Sequence, residues 1–583
     1  MPGSYAFGGK LAGAGVGQGW KFFLLGLALV FAGSYLAHRI QTMDGIRVSD
    51  VRFTGTDGTP MSGLLYIPRT ASAAHPAPGI LAIHGYINSR ETQDGFAIAF
   101  ARSGYVVLAI DQTGHGYSGA TVAAHGYGGP DGLKYLRSLD IVDRDNIGLE
   151  GHSMGGWAVL QAAAAAPHDY KAIVLEGSGT GVRIGSALAS PEGTPDFPKN
   201  LGVVYSRYDE FAPLMWRVDR AADVNQSVPL KALFGTDAAV KTGQLYGDIA
   251  GGTARMLYTP VTTHPGDHIS PEAVGNAVDW FGRTLTGGAP RASGVWLFKE
   301  IGTGIAFIGV VMLMLGAFDL YLKLPAFVRL AQKPEPVRDP RRGKWWLLLV
   351  VTALVPVITF YPFLYTGQKL MVPSPPFPQS ITNQILIWTL FNGVITVVAS
   401  LLLKGPEPRF NARTRGGIAI ACLTVGTAYL ALLLMDFLFK VDFRFWVVAL
   451  KLMSPRQFGS FLAYLVPFTI GFLIMSRALH AKLAVKGDSR AAQYWTGIGA
   501  LAGGFVVLLL VQYVPLFLTG ALPMPAEALN AIISIQFLPL MTLVALIFVF
   551  TWRRTNSHLP GGFIAGLFVT WYIVAGTAVQ YAG

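Results

Sequence analysis

Residues 151–155 read Gly-His-Ser-Met-Gly, a G-x-S-x-G sequence centred on Ser153. The apolar run at residues 146–150 is typical of a buried strand, and the alanine-rich run that follows has helical character as far as Pro167. So tight a turn between strand and helix favours glycine, because larger side chains would meet neighbouring backbone. It would raise the serine hydroxyl above the sheet and point a helix N-terminus, which favours negative charge, towards it.

Two further apolar runs upstream read as buried strands, and each ends in a glycine-containing turn. Residues 78–83 are followed by His-Gly-Tyr86, and residues 104–110 are followed by Asp-x-x-Gly-x-Gly-x-Ser over residues 111–118. Between the two runs, residues 91–103 have helical character. Alternating strands and helices predict a doubly wound α/β fold with a mostly parallel sheet.

The order and spacing of these three motifs resemble the α/β-hydrolase superfamily over residues 48–285. The resemblance implies a serine hydrolase that works through an acyl-enzyme, with Ser153 as the nucleophile. The backbone N–H groups of Tyr86 and Met154 would then form the oxyanion hole. A hydrolase fold that has lost catalysis and serves binding is the alternative, which we favour less because an acid and a base are also present.

Two predicted strands after Ser153 end in an aspartate, and the family order is nucleophile, acid, histidine. Residues 201–208 lead to Asp209-Glu210, which resembles the dienelactone hydrolase and prolyl-oligopeptidase branch. Residues 228–236 lead to Asp237 and follow a more general family pattern, a glycine and, two residues later, an aspartate. We favour Asp209 as the acid and keep Asp237 as the alternative, although either could be a surface turn residue.

The candidate base lies between a predicted last strand, residues 254–259, and a predicted last helix, residues 271–284. This loop contains both His264 and His268, and their spacing does not decide between them, although we lean towards His264. The pair does not predict zinc, because Pro-Gly at residues 265–266 disfavours the helix that an i, i+4 pair needs and a third ligand is not evident. We expect no metal and no cofactor.

The composition indicates an integral membrane protein. Of 583 residues, 52% are hydrophobic and only 13% are charged. We expect an N-terminal segment with one membrane helix at residues 1–44, the hydrolase at 45–286, a linker at 287–294 and about eight membrane helices at 295–583. The nine candidate spans are residues 22–37, 301–322, 345–365, 385–403, 416–439, 461–475, 496–518, 532–550 and 563–581.

Lys and Arg are concentrated in every second loop, after the second, fourth, sixth and eighth spans, which predicts that these loops are cytoplasmic. The hydrolase would then be extracytoplasmic. Because topology accounts for the formal net charge of +12, nucleic acid is not expected as a partner. Residues 440–457 are an exception, since basic and aromatic residues alternate there in a predicted outer loop. We predict an amphipathic helix on the outer membrane surface, with a short solvated loop as the alternative.

Segments 181–200 and 211–228 interrupt the late part of the hydrolase and are candidates for a lid. Met215 and Trp216, with Tyr86, are the predicted substrate contacts. Apolar residues here, together with membrane attachment, favour a carboxylesterase or lipase that cleaves a hydrophobic ester or lipid, with membrane lipids as further partners. A serine peptidase, an acyltransferase, and a transporter or receptor with a vestigial hydrolase domain stay open. The oligomeric state does not follow from the sequence.

Overall fold

A computed structural model describes residues 18–291, 294–339, 341–402 and 407–581. Within them, an α/β domain is inserted after the first helix of a helical domain. Some predicted segments reach beyond the described residues. These are residues 1–17 of the N-terminal segment, 292–293 of the linker, and 340, 403–406 and 582–583 of the membrane domain, of which residue 403 ends the fourth predicted span.

The α/β domain is built on one eight-stranded sheet in the order β1-β2-β4-β3-β5-β6-β9-β10, and β7 and β8 form a separate exposed hairpin. The strands are β1 Arg47–Thr54, β2 Pro60–Ile67, β3 Ala77–Ile83, β4 Val106–Ile110, β5 Val142–His152, β6 Ala172–Glu176, β7 Arg183–Ile184, β8 Ala187–Leu188, β9 Leu201–Val204 and β10 Arg255–Tyr258. The pairs β1–β2 and β2–β4 are antiparallel, and the other pairs of the sheet are parallel.

Helices cover both faces of this sheet. After α1 (Gly19–Gln41), the helices of the domain are α2 Asp94–Arg102, α3 Gly129–Ser138, α4 Met154–Ala165, α5 Ala212–Trp216, α6 Val228–Leu233 and α7 Pro271–Thr284. On one face Phe100 of α2 packs edge-on against Phe281 of α7, and on the other Leu136 of α3 and Leu160 of α4 are buried. The predicted doubly wound α/β fold is confirmed, and parallel strands buried on both sides explain its continuous apolar runs.

The predicted strand at residues 228–236 is wrong, because α6 occupies most of this segment. The Ser227 hydroxyl accepts a hydrogen bond from Leu230 N–H at 3.3 Å, and Pro229 lies in the first turn. Both features favour a helix start. The position beside β9 is taken by β10 instead. Asp237 therefore does not follow a strand of the sheet, and the pattern that made it an alternative acid is lost.

The rest of the described chain is mostly helical, and with α1 we call it the membrane domain. Its helices are α8 Leu297–Tyr321, α9 Gly343–Ile358, α10 Phe360–Leu370, α11 Ser380–Leu402, α12 Thr414–Phe439, α13 Pro455–Leu483, α14 Arg490–Leu501, α15 Gly503–Thr519, α16 Ala528–Thr555 and α17 Leu559–Gly576. Among the described residues, seven helices are long and apolar enough to cross a membrane, and the number rises to nine if each of two bent pairs is one span. These helices support the prediction of a membrane protein.

Two predicted spans are bent rather than continuous. The pair α9–α10 bends by 45° close to Pro356, whose missing N–H interrupts the helical hydrogen bonds. The pair α14–α15 bends by 47° at Ala502. Next to this bend Gly504 meets α9 so closely that a Cβ atom would lie 1.9 Å from the Ala353 carbonyl oxygen. Glycine thus allows the two bent pairs to pack against each other.

The amphipathic helix predicted at residues 440–457 is wrong. The segment holds a β-hairpin, β11 Phe443–Phe445 and β12 Val448–Leu450. Its basic residues Arg444 and Lys451 are buried rather than turned to water. Arg444 pairs with Asp442 at 2.7 Å and donates to the Thr92 hydroxyl of the α/β domain at 3.0 Å. The prediction failed because the segment packs against the α/β domain as a hairpin: Arg444 is neutralised by Asp442 within the segment and also contacts Thr92, a partner that local sequence does not show.

Candidate active site

Ser153 occupies the turn between β5 and α4 with a left-handed backbone, φ +55° and ψ −122°. Such a conformation costs a non-glycine residue about 1–3 kcal/mol, so its surroundings must hold it. Ser153 N–H donates to the Glu176 carbonyl at 2.8 Å, and the Ser178 hydroxyl donates to the Ser153 carbonyl at 2.8 Å. A Cβ atom at Gly155 would lie 1.9 Å from the Ile83 carbonyl oxygen, so this position requires glycine. The turn therefore presents the half-buried Ser153 side chain beside the end of β3.

The structure brings Asp209 and His264 together. Asp209 Oδ2 accepts from His264 Nδ1 at 2.8 Å, and both side chains are buried. The other oxygen, Oδ1, accepts from Phe211 N–H at 2.8 Å and from the Tyr205 hydroxyl at 3.2 Å. A carboxylate fixed in this way holds the imidazole proton on Nδ1 and leaves Nε2 as an acceptor. This pair has the geometry of an acid and a base.

Charge around His264 favours its protonated form. Burial lowers the pKa of the imidazole, but the carboxylates of Asp209, Glu210 and Asp267 raise it, and the net pKa lies above its usual value. Glu210 also contacts the loop directly, because its Oε2 accepts from His264 N–H at 2.8 Å. The imidazole is therefore suited to hold a proton that it takes from a neighbouring hydroxyl.

Several contacts join the histidine loop to the turn that carries Ser153. His152, the residue before Ser153, donates from Nε2 to the His264 carbonyl at 3.0 Å, and the two imidazole rings lie 4.6 Å apart. Gly177 follows the Glu176 carbonyl that binds Ser153 N–H, and a Cβ atom on Gly177 would lie 2.9 Å from His264 Nδ1. The serine turn and the histidine loop thus adjoin at the carboxyl ends of β5 and β6.

His268 and Asp237 do not join this arrangement in the described part of the chain. The His268 ring packs 4.1 Å from that of His152, and neither of its nitrogens has a hydrogen-bond partner among the described residues. Burial lowers its pKa well below the usual value, so His268 is neutral. Asp237 is exposed, and its backbone carbonyl accepts from Lys231 Nζ at 3.4 Å.

The predicted oxyanion residues flank the same site. Met154 is the first residue of α4, so its N–H has no carbonyl acceptor within the helix. Tyr86 follows Gly85, where a Cβ atom would lie 3.0 Å from Ser153 Cβ. The predicted substrate contacts Met215 and Trp216 are buried in the domain core. Trp216 Nε1 donates to the Ser178 carbonyl at 3.1 Å, so Trp216 supports the serine turn, and neither buried side chain lines an open entrance.

The membrane domain contacts the loops of this site, a contact that the sequence does not indicate. Three of its side chains hydrogen-bond to residues next to or within the candidate site. The pairs are Gln580 Nε2 with the Tyr86 hydroxyl at 2.6 Å, Trp446 Nε1 with the Pro265 carbonyl at 2.8 Å, and the Tyr513 hydroxyl with Glu210 Oε1 at 3.0 Å. These partners lie 181 to 494 positions apart in the chain, so no local pattern could have indicated them. The candidate site faces the membrane domain.

Two family models match the first part of the chain. Residues 78–210 match the family model described as the alpha/beta hydrolase fold. The α/β domain is a member of the α/β-hydrolase superfamily. Residues 20–129 also match the family model of acetyl xylan esterase, so the second match includes α1 and the first four strands of the hydrolase domain.

Individual relatives match only parts of the chain. The chain is 32% identical over 118 residues to 2-succinyl-6-hydroxy-2,4-cyclohexadiene-1-carboxylate synthase of Escherichia coli O1:K1 / APEC. The aligned residues make up 19% of this chain and 44% of that protein. The chain thus spans less than half the length of the curated relatives that it matches. The structure of the Pyrococcus furiosus esterase Pf2001 is 16% identical in sequence. The aligned region covers 41% of this chain and 91% of the esterase, with a TM-score of 0.31. Acetyl xylan esterase 1 of Thermoanaerobacterium sp. JW/SL YS485 is 18% identical. The aligned region covers 25% of this chain and 59% of that esterase, with a TM-score of 0.19.

Proposed function

We propose that the protein is a membrane-bound serine hydrolase of the esterase type, with Ser153 as nucleophile, His264 as base and Asp209 as acid. The observation that carries this proposal is the 2.8 Å bond between Asp209 and His264 on loops that contact the serine turn. His268 and Asp237 are not part of the proposed triad. The match to esterase and hydrolase family models supports the reaction class.

In the proposed reaction, His264 Nε2 takes the Ser153 proton while Oγ attacks the carbonyl carbon of an ester. The N–H groups of Tyr86 and Met154 stabilise the oxyanion, and each such donor lowers the barrier by about 3–4 kcal/mol. His264 then gives its proton to the leaving alcohol, and an acyl-enzyme remains on Ser153. Water, activated by the same imidazole, releases the carboxylic acid.

We further propose that the substrate is a hydrophobic ester or lipid that is cleaved at the outer membrane surface. The candidate site faces the membrane domain, and this orientation supports a substrate that approaches from the bilayer. Contacts among the basic loops support the sidedness, because these loops meet one another away from the hydrolase. Examples are Arg341 with Asp488 at 2.7 Å, Gln332 N–H with the Arg554 carbonyl at 3.0 Å, and Asn411 N–H with the Asn556 carbonyl at 3.0 Å.

Labelling of the full chain in detergent with a fluorophosphonate probe tests the nucleophile. We expect the wild type to be labelled and Ser153→Ala to be unlabelled. The same pair is then assayed with p-nitrophenyl esters of increasing chain length and with fluorogenic peptides. Ser153-dependent turnover that rises with acyl chain length supports the proposal. Absence of labelling refutes a serine hydrolase, and preference for peptides or acetate refutes the hydrophobic-ester substrate.

A cysteine-accessibility experiment tests the sidedness. The single cysteine, Cys422, is first replaced by alanine. Cysteines are then introduced singly as Asp237→Cys in the hydrolase and Lys486→Cys in a basic loop, both exposed positions. In intact cells a membrane-impermeant maleimide should label the first variant alone, and both should react after lysis. The reverse pattern would contradict an extracytoplasmic hydrolase.

A further inference from the structure

Two cavities adjoin where the hydrolase meets the membrane domain, and both are lined by Lys451. The apolar cavity extends from Ile87 of the hydrolase, next to Tyr86, into the membrane helices. There Ile385 of α11, Ile533 of α16 and Ile573 of α17 line it. Most of its remaining walls are also aliphatic or aromatic. It is therefore a space that favours a hydrocarbon chain.

The acidic cavity lies on the other side of Lys451. Four carboxylates line it, those of Glu91, Asp111, Asp436 and Asp442. Two of them are engaged within the hydrolase. Glu91 pairs with Arg90 Nε at 3.0 Å, and Asp111 Oδ1 accepts from the N–H of the same arginine at 3.0 Å.

The other charged groups of the acidic cavity have unused capacity. Asp442 pairs with Arg444 through Oδ2, but its buried Oδ1 has no partner among the described residues. The Asp436 carboxylate likewise has no hydrogen bond or ion pair within the described chain. Lys451 is 8% exposed, and none of the described hydrogen bonds or ion pairs involves its ammonium group. Burial and the nearby Arg444 lower the pKa of Lys451 to about 8, so the ammonium is mostly charged at neutral pH.

We propose that the two cavities form one binding site for a zwitterionic lipid, with an aliphatic chain in the apolar cavity, an anionic phosphate at Lys451 and an ammonium group at Asp436 and Asp442. Lys451 is a buried cation without a described partner, Asp436 is half-buried, and one oxygen of Asp442 has no described partner. Burying charge without hydrogen bonds is costly, and a head group that carries both signs would pair with these groups. A purely anionic head group would be repelled by Asp436 and by the unpartnered oxygen of Asp442, and an uncharged one would leave Lys451 without a described hydrogen-bond partner. A lipid with a zwitterionic head group matches this order of apolar wall, cation and anions.

This inference goes beyond the proposed reaction, because binding does not need a nucleophilic serine. It is therefore tested in the Ser153→Ala background, where turnover cannot remove the ligand. Native mass spectrometry of the full chain, delipidated in detergent, measures the fraction that retains one added lipid. The three probes share dioleoyl chains and differ in their head group: phosphatidylethanolamine, phosphatidylglycerol and uncharged diacylglycerol. We expect phosphatidylethanolamine to bind about tenfold more tightly than the other two.

Charge variants separate this site from non-specific lipid binding. Lys451→Met should weaken phosphatidylethanolamine binding about tenfold, and Asp436→Asn should remove its advantage over phosphatidylglycerol. The controls are Lys486→Met, an exposed lysine of a basic loop, and Asp237→Asn, an exposed hydrolase residue; neither lines the cavities. Both controls should bind as the parent does.

A size variant tests the chain-binding part of the site. Ile533→Trp would fill the apolar cavity and should reduce the binding of all three lipids, whereas Ile535→Trp, which lies two positions away and does not line it, should not. Elution volume and thermal unfolding midpoint confirm that each variant is folded. Equal binding of the three lipids, or parent-like binding by Lys451→Met, would overturn the proposal. Either result would leave the serine-labelling experiment unaffected, so the two proposals can fail separately.

Discussion

The hydroxyl of Tyr513, in membrane helix α15, donates to Glu210 Oε1 at 3.0 Å, and the other oxygen of this carboxylate accepts from His264 N–H at 2.8 Å. Two hydrogen bonds therefore connect a membrane helix to the backbone of the proposed base. Glu210 also follows Asp209 directly in the chain. We infer that the membrane domain positions the acid and base loops, which is a function that a single anchoring helix could not provide.

Tyr513→Phe should lower kcat about three- to tenfold and leave KM nearly unchanged. The substitution removes one donor from a buried carboxylate, and hydrogen bonds to charged groups contribute about 1.5–3 kcal/mol. Part of that loss should appear as displacement of the His264 loop. Steady-state ester hydrolysis measures the effect. Tyr365→Phe, at an exposed tyrosine of α10, is the control and should match the wild type. A kcat for Tyr513→Phe equal to that of the control would show that the contact does not position the base.

Asp209→Asn should reduce kcat by about three to four orders of magnitude, because an amide no longer favours the imidazole tautomer that accepts the serine proton. Asp237→Asn, the matched change at the other candidate acid, should leave kcat within twofold of the wild type. Comparing the two variants by ester hydrolysis decides between the acids. A larger loss for Asp237→Asn would reverse our assignment.

Substituting the two loop histidines separates their roles. His264→Gln should remove at least three orders of magnitude from kcat, since no other described side chain replaces the base beside Asp209. His268→Phe should retain most activity, because neither nitrogen of the His268 ring has a described partner and its neighbours are aromatic. Removing unsatisfied buried nitrogens should also keep the thermal unfolding midpoint at or above that of the wild type. Loss of activity in a folded His268→Phe protein would be inconsistent with this assignment.

The sequence predicted correctly those parts of the fold that depend on residues close together in the chain. The turn at Ser153, the buried strands and the helix after Ser270 all follow from glycine, apolar runs and capping residues. The Ser270 hydroxyl indeed accepts from Ala273 N–H at 3.2 Å. The choice between His264 and His268 could not be made in this way, because it depends on which imidazole reaches a carboxylate more than fifty residues earlier.

The failures have the same origin. The segment at residues 228–236 is apolar enough for a strand, but the sheet position that it would need is occupied by β10. The charges at residues 440–457 suggested contact with water and lipid head groups, yet Arg444 is buried against Asp442 and Thr92. In both segments, partners distant in the chain override the local pattern.

The pH dependence of catalysis follows from the charges around His264. The base must be neutral to accept the Ser153 proton, so kcat/KM falls as the pH falls through the pKa of the imidazole. Burial lowers this pKa, but Asp209, Glu210 and Asp267 outweigh it, so the acid limb of the profile should have its midpoint above 6.5. Burial and Asp209 raise the pKa of Glu210 to about 7, so this side chain carries part of a negative charge near the midpoint. Glu210→Gln should therefore move the midpoint slightly to lower pH, whereas Asp237→Asn should not.

A pH series of kcat/KM on a soluble short-chain ester measures these midpoints without changes in lipid ionisation. Glutamine can still accept from His264 N–H, so the substitution mainly removes charge, and activity above the midpoint should fall by no more than about tenfold. A shift in the same direction and of the same size in Asp237→Asn would indicate a general charge effect. A midpoint below 6.5 in the wild type would mean that burial dominates over the carboxylates and that His264 is less basic than its contacts imply.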